Sequence, residues 1–108
     1  MADSEKNIEE ILNQMKQNGI TGAVIRKDGV VMNSTVALSA PAIISSLANI
    51  SDAILQKEHE HQKELEIAFN NLILVVVPVK NCYFCGMVKE RAQKKLVRDY
   101  AEQASAVL

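Results

Sequence analysis

Residues 72–79 read Leu-Ile-Leu-Val-Val-Val-Pro-Val, eight positions with no charge and no side-chain amide. A strand wetted on one face alternates apolar and polar side chains, so a strand that is apolar throughout must be covered on both faces. The run therefore predicts a central strand with helices on both sides of its sheet. Pro78 brings no N–H to a ladder and places the strand's end close by, and Lys80-Asn81 follows as a turn. Cys82 to Val88 then reads as a further strand.

Upstream of the run, Leu65, Ile67 and Phe69 alternate with Glu64, Glu66 and Ala68, the period of two of a strand with one polar face. Asn70-Asn71 can turn it back into residues 72–79. From Lys89 onward Ala92, Leu96, Tyr100, Ala104 and Val107 recur at helical spacing and predict a closing helix. Earlier, Ile8, Ile11, Leu12 and Met15 mark a helix over Ser4 to Asn18. Its first turns carry Glu5, Glu9 and Glu10, where the helix dipole favours negative charge, and Asn18-Gly19 ends it. Ile20 to Arg26 and Val30 to Thr35 flank Lys27-Asp28-Gly29, and Asp-Gly supplies the positive φ of a tight hairpin. Ser39-Ala40-Pro41 opens a second helix that runs to about Gln56. A charged stretch, Lys57 to Lys63, leads from it back to the strand region.

The order helix, hairpin, helix, three-strand meander, helix resembles the roadblock/dynein-light-chain family over nearly the whole chain. The resemblance is carried by Gly19-Ile-Thr-Gly22-Ala-Val, the Asp28-Gly29 turn, Leu74-Val-Val-Val-Pro-Val79 and the amphipathic last helix. It implies an α+β fold of order α-β-β-α-β-β-β-α, a profilin-like five-stranded antiparallel sheet with the second helix on one face and the first and third on the other. It also implies that the strand from Glu64 to Phe69 lies at a sheet edge. Members of the family act as dimeric scaffolds, and many bind small Ras-like GTPases; others are adaptors in motor complexes.

Pairing of two copies is argued from the residues as well. In the second helix Ile43, Leu47, Ile50 and Ile54 form one apolar row, and Ile44, Ala48 and Leu55 form another. Together they span an arc of about 160°. One sheet face hides the first row; the second needs a partner surface or the chain's own Val36-Ala37-Leu38 to cover it. The expected dimer interface is Ile44, Ala48, Ser51, Leu55, Leu65, Ile67 and Phe69. Glu64 and Glu66 weigh against it, since like charges would approach across the seam.

The 108 residues suit a single domain, 1–108, and 48% apolar against 23% charged residues is ordinary for a folded core. Twelve Lys and Arg against thirteen Asp and Glu leave a formal charge of −1, so neither nucleic acid nor an anionic bilayer is drawn to the chain as a whole. The opening residues lack the basic start and apolar stretch of a secretion signal, and no run approaches a bilayer span, so the cytoplasm is the expected location with no direct membrane insertion. The Asn33 and Asn49 sequons are set aside on the same ground.

Little points to chemistry. Cys82-Tyr-Phe-Cys85 has the C-x-x-C form of redox and zinc sites, but in a strand the two side chains face opposite sides, about 10 Å apart along the chain. His59 and His61 sit among charges with no ligand spacing around them, and no metal or cofactor is assigned. No phosphate-binding loop, nucleophile elbow or catalytic triad can be assembled, so the chain is read as a non-enzyme. Arg91, Lys94, Lys95 and Arg98 share one face of the last helix and form a candidate basic stripe for an acidic partner. Two other readings stand beside the scaffold: a small-molecule sensor, and a thiol switch through Cys82 and Cys85.

Overall fold

The computed structural model describes residues 2–35, 49, 64–69 and 71–108. In chain order these form α1 (Ala2–Gln17), β1 (Thr21–Arg26), β2 (Val31–Ser34), β3 (Leu65–Phe69), β4 (Leu72–Val79), β5 (Cys82–Val88), a 3-10 turn (Arg91–Gln93) and α2 (Lys94–Val107). The strands make one antiparallel sheet of order β2-β1-β5-β4-β3. This is the α+β fold expected above, with α1 and α2 on the same face of the sheet.

The apolar run is an interior strand, but the middle of the sheet belongs to β5, which corrects the expectation. The last strand in sequence inserts between β4 and β1, pairing Val75 with Gly86 on one side and Val24 with Phe84 on the other. Local periodicity reports which faces are dry and says nothing of which distant strand lies alongside.

Both faces are dry, as residues 72–79 demanded. Val75, Val79, Cys82, Phe84 and Val88 join Ile8, Leu12 and Met15 of α1 and Val97, Ala101 and Ala104 of α2 in one core. Leu74, Val76, Tyr83 and Cys85 join Ala23 and Ile25 in a second core on the opposite face. Of the segment expected to form the second helix, only Asn49 is described. It is helical and bridges to that opposite face: its side-chain oxygen accepts from the Tyr83 hydroxyl, and its Nδ2 donates to the Lys27 carbonyl at 3.1 Å. The rest of 41–56 lies outside the described residues.

Local chemistry sets the turns. At the β1–β2 hairpin Gly29 takes a φ of 95°, and Asp28 Oδ1 accepts from the Val30 N–H at 3.1 Å while the other carboxylate oxygen pairs with the Arg26 guanidinium at 2.6 Å. The closing helix starts later than Lys89. The Gln93 side-chain oxygen accepts from the N–H groups of Lys89 and Glu90 at 2.9 and 3.0 Å, and Glu90 is extended, so the α-helix begins only at Lys94. Its buried stripe is Val97, Ala101 and Ala104, not the row through Leu96, which is exposed. Shifting the start turned the helix about its axis relative to the expected row.

Helix α1 lies almost against the backbone of β1. A Cβ at Gly22 would stand 2.2 Å from Met15 Cε and 2.5 Å from the Cys85 carbonyl oxygen. Its N–H donates to Thr35 Oγ1 at 3.0 Å, and its carbonyl accepts from the Thr35 N–H at 2.9 Å, so the strand cannot slide away. Gly22→Ala should therefore destabilise the fold by about 1–3 kcal/mol or more, the cost of overpacking a filled core. Urea denaturation should show this as a lower midpoint at unchanged slope.

Candidate docking surface

Strand β3 is an edge of the sheet, hydrogen-bonded to β4 on one side and with no strand neighbour on the other among the described residues. Leu65 and Ile67 lie half-buried against the core opposite α1 and α2, beside Leu74 and Val76. Phe69 ends the same strand opposite Leu72. The expected interface residues Leu65, Ile67 and Phe69 thus share one edge. Ile44, Ala48, Ser51 and Leu55 lie outside the described residues.

The carboxylates of this edge turn the other way, toward α2. Lys94 Nζ is 2.5 Å from Glu66 Oε1. Arg98 donates through Nε to Glu64 Oε1 at 2.6 Å and through a terminal NH2 group to Oε2 at 3.0 Å, a two-pronged arrangement that suits the planar guanidinium. The hydrogen bond from Arg98 holds the Glu64 carboxyl below its ordinary range, against partial desolvation that pushes it up. The same bond raises Arg98.

The candidate basic stripe is therefore divided. Lys94 and Arg98 tie the helix to β3, while Arg91 and Lys95 are exposed. The pairing had a signal in the sequence. Residues two apart on a strand are separated by about 6.8 Å, and residues four apart on a helix by about 6 Å. Glu64 and Glu66 thus match Arg98 and Lys94 rung for rung.

Replacing Glu64 by Gln should flatten the fall of stability in acid. A carboxyl whose folded value is depressed contributes stability above its ordinary value of 4.5 and loses it as pH drops through the lowered one. Urea midpoints across this range should converge for the two proteins on acidification and differ most near neutrality.

The two cysteines face opposite cores and carry free thiols. Cys82 Sγ lies 3.5 Å from Met32 Sδ on the α1/α2 face, and Cys85 Sγ donates to the Tyr83 carbonyl at 3.9 Å on the other. A bond between them would have to cross the sheet. Burial pushes the Cys85 thiol up to about 12 and raises Cys82 as well, so the nucleophilic thiolate is suppressed at both. The folded state then keeps a proton that the unfolded chain releases. Stability should fall as pH rises from the ordinary thiol value of about 8.5 toward about 12, and Cys85→Ala should remove that part of the slope in alkaline denaturation curves.

Among the described residues no three His, Cys, Asp or Glu side chains gather as a metal site, and no helix is long and apolar enough to cross a membrane. His59 and His61 lie outside the described residues. A groove of about 370 Å³ runs between the end of β4 and α2, with Pro78 and Val79 on one wall and Asp99, Glu102 and Ser105 on the other. Lys80 at its rim donates to the Leu108 carbonyl.

Among solved structures, the gliding protein MglB of Thermus thermophilus is similar to this chain at a TM-score of 0.82, with 15% identity over 96% of this chain and 90% of that one. A second MglB structure, described as having a tetrameric arrangement, reaches 0.82 at 16% identity over 96% of this chain and 89% of its own. The Roadblock/LC7 domain of Streptomyces avermitilis reaches 0.77 at 11% identity, with 92% of each chain covered. No protein-family model and no curated protein matches the sequence. At such identities the likeness is one of fold, and the fold is that of a roadblock domain.

Proposed function

We propose that this roadblock-type domain, residues 1–108, is a non-enzymatic homodimeric scaffold of the cytoplasm that docks a partner protein, a small Ras-like GTPase first among the candidates. The observation that carries the reading is the state of β3. Its outer backbone groups have no strand partner among the described residues, its apolar residues Leu65 and Ile67 are half-buried, and its two carboxylates are drawn off toward α2. The last point answers the objection raised by charge. Each copy neutralises its own Glu64 and Glu66, so two β3 edges can meet around a two-fold axis without four bare carboxylates crowding the seam.

Such a contact joins two sheets and extends the interface from Leu65, Ile67 and Phe69 to Ile44, Ala48, Ser51 and Leu55 of the second helical segment. The joined face is what a partner protein recognises, with Arg91 and Lys95 as the free cations at its margin. The GTPase is suggested by the roadblock resemblance, and the MglB and Roadblock/LC7 likenesses supply the fold on which that suggestion rests.

Light scattering after gel filtration should give the mass of two chains at micromolar concentration. Ile67→Asp should weaken the dimer at least about tenfold, since it sets a charge in the centre of an apolar contact. A monomer in the unmodified protein sinks the reading. The partner is tested by binding the dimer to the cell's small GTPases in their diphosphate and triphosphate states, where a difference between the two states is the expected result.

A further inference from the structure

The opposite edge of the sheet, β2, carries a feature that dimerisation through β3 leaves unused. The β1–β2 ladder slips between Val24 and Ile25: Ile25 pairs with Val31, but Val24 pairs with Asn33. Such a bulge re-aims the side chains that follow it. Met32 packs into the core beneath α1, and Asn33 borders a cleft of about 130 Å³ walled by Glu9, Leu12 and Asn13 of α1 and by Ser34 and Thr35. That is well beyond the 10–15 Å³ or so that one water molecule needs.

Asn33 Oδ1 is buried and accepts no hydrogen bond, the one buried side-chain oxygen or nitrogen so left among the described residues. Its neighbours do not relieve it. The Thr35 hydroxyl is committed to Gly22, accepting from its N–H and donating to its carbonyl. Glu9, on the exposed wall, has no ion-pair partner among the described residues. The cleft therefore offers an unfilled neutral acceptor at its floor and an unpaired carboxylate at its mouth. An anion would meet oxygens, and a neutral molecule would leave the carboxylate unanswered.

We propose that this cleft binds a cationic nitrogen donor, an alkylguanidinium or alkylammonium group, one N–H donating to Asn33 Oδ1 and the positive charge facing Glu9. The group comes either from a free small cation or from an arginine or lysine side chain of a peptide laid along the open edge of β2.

The test is titration of the ¹⁵N-labelled full chain with ethylguanidinium, followed by NMR. The expected result is a saturable shift of the Asn33 side-chain amide with smaller shifts at Asn13 and residues 34 and 35. Neutral ethylurea, nearly the same in shape, should give none. Glu9→Gln, a change at an exposed position, should weaken ethylguanidinium about tenfold or more, the loss of one charge-assisted contact, at an unchanged melting temperature. An extended arginine peptide that binds more tightly than ethylguanidinium and protects the β2 amides from exchange identifies a protein source; equal affinity identifies a free small cation. The proposal is overturned by a titration that never saturates, by equal binding of ethylurea or of the citrulline form of the peptide, or by an unaltered affinity in Glu9→Gln.

Discussion

Strand β5 has to be hydrogen-bonded along both edges and sealed on both faces at once, and nearly everything else in the domain is arranged around that requirement. Its backbone is shared between β1 and β4, and its side chains divide alternately between two cores, Phe84 and Val88 on one side, Tyr83 and Cys85 on the other. Placing α1 and α2 over one face leaves the other to the segment that includes Asn49, which is held there by Tyr83 and by the Lys27 carbonyl. A strand so enclosed has no spare surface for a ligand. Whatever the protein does with other molecules happens at the sheet's rims.

The two rims differ in character. On the β3 side, the paired rungs from Glu64 to Arg98 and from Glu66 to Lys94 fasten the edge strand to the closing helix. Surface ion pairs contribute little to stability on average, and the more telling consequence here is directional. They draw charge toward α2 and leave the outer flank of β3 and its apolar side available. On the β2 side, a ladder slip buries an amide oxygen without a partner under α1. One rim is prepared for backbone pairing, the other for a positive group.

Much of this was legible in the residues. The uninterrupted apolar run of 72–79, the alternation of 64–69 and the Asp28-Gly29 turn each report a local constraint, and each element forms where its pattern indicated. Harder to read were relations between distant segments. That β5 rather than β4 takes the middle follows from pairing with β1, to which no window of sequence refers. The basic stripe on α2 was visible, yet its meaning depended on Glu64 and Glu66 arriving beside it; only the match of repeat lengths hinted at that. Leu96 misled because the helix begins at Lys94, after the Gln93 side chain has turned the chain. The orphan Asn33 oxygen left no trace in the sequence, since a bulge created it.

Inserting the final strand between earlier ones also fixes the order of events when the chain is made. Thr21 must wait for Met87, and Arg26 for Cys82, before the first hairpin gains its second neighbour. Until then β1 exposes one raw edge, and the apolar side chains of α1 lack most of their floor. Contacts so remote in sequence slow folding and prolong the lifetime of sticky intermediates. A ribosome still translating this protein therefore holds an unfinished sheet until almost the last residues emerge, which makes the nascent chain a natural client for chaperones.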